Sequence, residues 1–191
     1  DADLNKIALE GLEFSGTIDM QTTSAVHISD VQAGGLVLDG LHFAADDSVM
    51  LDAAQGTHLS NSLKDLQKLG VDAVMVAGAD ATHPANVTVD LGEGAALSGG
   101  LPLFGVDANH DGKITGTEDS ALNVTLSVDG AEQLHEVAGL AGSFDLAGLG
   151  LDNVDLSLAL SDQSALNAVL GGSLDADLNK IALEGLEFSG T

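Results

Sequence analysis

Cysteine is absent from the sequence, which excludes disulfide staples and thiol chemistry and leaves the fold to stand on its core alone. Tryptophan and tyrosine are absent too, and five phenylalanines are the only aromatics, so the rings on which sugar-binding and glycosidase sites stack their substrate are missing. Arginine does not occur and lysine occurs five times, against thirty Asp and Glu, for a net charge of −25. No basic patch can form to hold a phosphate backbone, so nucleic acid and anionic membrane surfaces are excluded as partners. No apolar run approaches the roughly eighteen residues of a membrane span, and no charged-then-apolar leader follows Asp1. Membrane insertion is therefore not expected, and any secretion signal is expected outside this stretch.

Hydrophobic residues make up 45% of the chain and the mean hydropathy is +0.24, which supplies a core and excludes general disorder. With so many carboxylates, the apolar and acidic residues must be sorted onto opposite faces. Those carboxylates repel one another unless cations intervene, which makes divalent metal a natural partner of the surface.

The chain is organised around a duplication. Residues 1–17, DADLNKIALEGLEFSGT, recur letter for letter as residues 175–191, an offset of 174. An identical block at a fixed offset is the mark of a tandem array whose units bury surface against their neighbours. Residues 1–174 are read as one unit and 175–191 as the start of the next. Apart from the short Gly171-Gly172-Ser173, no Pro-rich or Gly/Ser-rich spacer surrounds Leu174, which favours a stiff joint.

Periodicity outlines the unit. Ile18 and Met20, then Val26 and Ile28, alternate with polar residues and read as a hairpin; Val49 and Leu51 suggest another strand. An L-x-G-L spelling recurs around Gly11, Gly40, Gly148 and Gly185, and the phase break at each glycine predicts two strand segments joined at a bulge. Leu59, Leu63, Leu66 and Leu69 lie on one helical stripe, with Ser60 to Ser62 to cap it and Gly70 to end it. Residues 71–78 suit a strand buried on both faces, while 86–92 and 121–130 alternate clearly. A short helix is expected over 131–138, with Leu134 and Val137 inward and Gly139 as its stop. Val154, Leu156, Leu158 and Leu160 predict a strand, and Asp162 and Gly171 bound a further helix. The expected fold class is α+β: a β-rich domain, sandwich or roll, with two or three short amphipathic helices.

One motif carries chemistry. In DANHDGKITGTE, residues 107–118, Asp107, Asn109 and Asp111 occupy the first, third and fifth positions of a twelve-residue calcium loop. Gly112 allows the sharp turn at the sixth, Lys113 offers its carbonyl at the seventh, Ile114 points coreward at the eighth, Thr115 acts directly or through water, and Glu118 closes the shell. The spacing predicts Ca²⁺. The loop resembles the EF-hand, but Pro102 and Gly105 before it and the alternating residues after it are similar to the strand- or loop-flanked calcium loops of extracellular proteins and dockerins. A structural clip is expected rather than a switch, since no helix pair stands ready to open. Asp175, Asp177 and Asn179, with Asp1, Asp3 and Asn5, lack the glycine of such a loop and read as solvated turns.

The six histidines show no metal-ligand spacing, no Gly-x-Ser-x-Gly elbow occurs, and no phosphate loop is present. No catalytic residue and no organic cofactor are expected, and the chain is not read as an enzyme. The composition resembles the repeats of giant, acidic, cysteine-free, commonly calcium-dependent surface proteins secreted by Gram-negative bacteria. That resemblance implies an extracellular or cell-surface structural repeat, of a fibre or adhesin stalk, whose partners are neighbouring copies joined head to tail. The duplicated block, whose two copies present the same apolar face to one groove, predicts in turn that this chain associates head to tail into fibres and that removing either copy abolishes association. The alternative reading is a ligand-binding adhesin module for sugar or protein; a hydrolase domain is the weaker rival.

Overall fold

The computed structural model describes residues 15–77, 85–95, 97, 100–106, 114, 122–141, 153–157, 177, 179 and 187–190. Alternation becomes strand where expected: Leu122, Val124, Leu126 and Val128 are all buried along β9 (Leu122–Asp129), and Ala85, Val87 and Val89 along β7 (Ala85–Asp90). The other strands are β1 (Gly16–Ile18), β2 (Val26–Ser29), β3 (Leu41–Phe43), β4 (Val49–Ala54), β5 (Thr57–His58), β6 (Ala73–Ala77), β8 (Leu103–Gly105), β10 (Asn153–Ser157) and β11 (Glu187–Gly190). Among the described residues, three helices with defined bounds accompany them: α1 (Asp30–Leu38), α2 (Leu63–Leu69) and α3 (Gly130–Ala141). The content is mixed, as expected of an α+β chain.

Every strand pairing among the described residues is parallel. The strands form three sheets, β1-β3, β2-β4-β6-β8 and β11-β10-β9-β7-β5, and in each the order in space follows the order in the chain. The chain therefore winds, laying each strand beside the one from the previous turn, or rung. It returns to the second sheet after 23 residues from Val26 to Val49 and from Met50 to Ala73, and after 30 from Ala73 to Leu103. Winding puts like on like. Ile28, Leu51, Val74 and Phe104 share one row of register, all buried, and they join the inward residues of the third sheet and the helices in one continuous cluster.

The expected hairpin is not formed: β1 pairs with β3 and β2 with β4. Alternation does not encode strand direction, and residues 19–25 contain none of the Asn-Gly or Gly-x pairs a tight hairpin turn needs. The bulge expected at Gly40 is also replaced. Leu36 to Leu38 end α1, and Gly40, at φ 68°, turns the chain from that helix into β3, with its N–H donating to Val37 O at 3.0 Å. A glycine in the left-handed region just past a helix accepts the turn that other residues resist. The same spelling around Gly11, Gly148 and Gly185 lies outside the described residues, as does the helix expected between Asp162 and Gly171.

The leucine stripe holds. Ser62 caps α2 in a capping box with Asp65, Gly70 ends it at φ 85°, and Leu63, Leu66 and Leu69 are buried. Leu59, also buried, precedes the helix rather than starting it. In α3, Leu134 and Val137 are buried as expected, but the helix runs through Gly139 to Ala141. A single glycine inside a helix costs only about 1 kcal/mol relative to Ala, and packing of α3 on β9 and β10 offsets it.

Candidate metal centre and the clips between rungs

Of the calcium loop, only Ile114 is among the described residues; Asp107, Asn109, Asp111, Lys113, Thr115 and Glu118 lie outside them. Ile114 itself packs on the end of β8. A side chain at Gly105, the last residue of β8, would collide with the Ile114 methyl Cγ2 and meet its Cδ1 at 3.4 Å. The missing Cβ leaves the seat that the eighth-position residue fills. Among the described residues no group of three or more His, Asp or Glu is placed to hold a metal.

Polar side chains link each helix to the next part of the chain. Asp30 opens α1 and accepts from Ser60 N at 2.7 Å, from Asn61 N at 3.3 Å and from Asn61 Nδ2 at 2.6 Å, while Asn61 Nδ2 also donates to Asp30 O at 2.6 Å. Asn61 is buried, and Gly34 of α1 lets it close in: a Cβ there would stand 3.3 Å from Asn61 Oδ1. From α2, Lys64 Nζ reaches Glu136 Oε2 of α3 at 2.8 Å, with side chains 10% and 20% exposed, and Leu97 N donates to Glu136 Oε1 at 2.9 Å. Breaking such a shielded pair by removing one partner strands a charge.

The third clip reaches the second copy of the block. Asp177 is helical and its side chain only 3% exposed, with Oδ2 accepting from His135 Nδ1 of α3 at 2.9 Å. Asp177 and Asn179, expected in a solvated turn, are both helical; Asp177 is buried and its carboxylate pairs with an imidazole, while Asn179 is exposed as expected. Sequence reading missed all three clips, because their partners stand 31, 72 and 42 residues apart. The scarcity of lysine was the one available signal, marking Lys64 as a cation placed for a reason.

The histidines of the sheets are exposed but partnered. His27 Nδ1 lies 2.9 Å from Asp52 Oδ1 and His58 Nε2 3.0 Å from Asp90 Oδ1. Each His sits opposite the residue two before its Asp, so both pairs are diagonals between neighbouring strands. His42 Nε2 stands 2.9 Å from Thr17 Oγ1. A surface pocket of about 540 Å³ lies beside this contact, and its carboxylates hold backbone: Asp47 accepts from Met20 N at 3.0 Å and Asp72 from Val49 N at 2.8 Å. These groups build turns rather than a reactive pair.

No described helix is long and apolar enough to cross a membrane. Comparison with protein-family models, with curated proteins and with solved structures finds no match to the chain.

Proposed function

We propose that the 174-residue unit is a structural repeat of a secreted, calcium-stabilised bacterial surface fibre or adhesin stalk, a roll of parallel rungs whose copies join head to tail by strand addition. The observation that carries this reading is β11. It belongs to the second copy of the block, and it is seated on β10 in parallel register as the next strand of the third sheet. A unit that ends by accepting the opening of the next one continues its sheet across the joint, and no flexible linker is needed. A protein of two full units should scatter X-rays as a single stiff rod about twice the length of one. Two independently tumbling bodies would rule the reading out.

Calcium has a mechanical role here. Asp107, Asn109, Asp111, the Lys113 carbonyl, Thr115 and Glu118 form a hard-oxygen donor set suited to Ca²⁺, and the seat of Ile114 on Gly105 would pass the order of the loop to β8 and the second sheet. Ca²⁺ at ten times its Kd should stabilise the unit by about 1.4 kcal/mol, from RT ln(1 + [L]/Kd). Asp107→Ala or Glu118→Ala should abolish the gain. A melting temperature indifferent to EGTA would dispose of the site.

A further inference from the structure

Residues 187–190 occupy a defined seat. Glu187, Phe188, Ser189 and Gly190 stand opposite Asn153, Val154, Asp155 and Leu156, and Ser189 Oγ donates to Asp155 Oδ1 at 2.9 Å. Further back, Asp177 is held by His135. Every one of these contacts is made by a residue that the first copy repeats at the same spacing: Asp3, Glu13, Phe14, Ser15 and Gly16.

We propose that the edge of β10, together with His135, is a docking site for residues 1–17 of a second copy of this chain, and that residues 175–191 are its built-in occupant. The proposal takes its register from the tandem-repeat reading above. The two pairings of a block overlap at a single glycine. β11 ends at Gly190, and β1 begins at Gly16, the same residue of the block, with Gly16 N donating to Gly40 O at 3.2 Å. One block can therefore give its Glu-Phe-Ser-Gly to the β10 of a preceding molecule and keep its Gly-Thr-Ile on its own β3. Docking costs the donor none of its described pairings.

The competition is between identical strands, so contact energy does not decide it. Tethering does: a linked occupant acts at an effective concentration in the millimolar range, far above micromolar protein. The intact chain is thus capped by its own tail. This reverses the expected effect of removing residues 175–191: loss of the tail opens the seat, and an open parallel edge invites another strand.

The test weakens the tail within the full chain. In Phe188→Pro/Ser189→Pro, one of two adjacent backbone N–H groups must have faced β10, and both are removed. By light scattering, the unaltered chain should have the mass of one molecule at micromolar concentration and the variant that of two or more. Adding Phe14→Pro/Ser15→Pro should restore the single mass, as should excess peptide DADLNKIALEGLEFSGT. A second readout needs no variant: fluorescein-labelled block peptide should enter the unaltered chain slowly, as the tail detaches, with unlabelled but not scrambled peptide competing. If the peptide enters neither protein, or the variant is folded and stays single, the proposal is overturned, while the two-unit rod is judged separately.

Discussion

Gly92→Ala should lower the unfolding free energy by about 3–5 kcal/mol, with the midpoint of urea denaturation falling accordingly. Two costs add. Gly92 sits at φ 89°, where an L-residue is strained by about 1–3 kcal/mol. The new methyl would also stand 2.5 Å from Ser62 Cβ and closer still to Ser62 Oγ. Ser62 cannot step aside cheaply, because its hydroxyl both accepts from Asp65 N at 3.2 Å and donates to Asp65 Oδ2 at 2.7 Å. Losing such a cap costs about 1 kcal/mol, and overpacking a closed contact typically 1–3 kcal/mol. The Gly92 backbone is held as well, since the preceding Leu91 O accepts from Lys64 N at 3.2 Å. Gly94 is the control. It too has positive φ, 110°, but a Cβ there meets nothing within 4 Å, so Gly94→Ala should show the strain alone. Equal losses at the two glycines would refute the clash.

What could be seen beforehand follows the range of the forces involved. α2 was legible because its leucine stripe, its cap and its terminal glycine lie within twelve residues of one another. β7 and β9 were legible because each buries a strict alternation. α1 was not. Ala33 is its one buried residue, while Val31 and Leu38 are 82% and 87% exposed, so its apolar residues mark no inward face. Gly34 and Gly35 also weaken the helical signal. What holds α1 is its Ser29–Gln32 capping box and packing on α2, and the second of these depends on residues a full rung away. Parallel pairing was invisible for a similar reason: a half-buried strand alternates whichever way its neighbour runs. The calcium loop could be proposed from sequence because all its candidate ligands come from one short segment. The clips could not, since Asp30 has meaning only once winding brings the turn before α2 beneath it.

Asp30→Ala should accordingly cost about 2–4 kcal/mol, far more than a partly exposed aspartate at the start of a helix is worth through the helix dipole, which is about 0.3–1 kcal/mol. Its carboxylate satisfies two backbone N–H groups and one amide hydrogen of buried Asn61. Hydrogen bonds to a charged group contribute roughly 1.5–3 kcal/mol when a buried partner is left behind, and less where water can replace the group. Ser60 is exposed and can be rehydrated, so most of the loss should arise at Asn61. Asn61 keeps its bond to the residue 30 carbonyl in the variant, which sets the upper limit. Asp30→Asn, which retains an acceptor but no charge, should fall between the two. The decisive measurement is a double-mutant cycle with Asn61→Ala. Removing the amide first should erase much of the penalty for removing the carboxylate, giving a coupling of about 1 kcal/mol or more, whereas independent sites add to within roughly 0.3–0.5 kcal/mol. Additive losses would mean that α1 and the turn before α2 are held by packing alone and that the polar clip carries none of the contact between rungs.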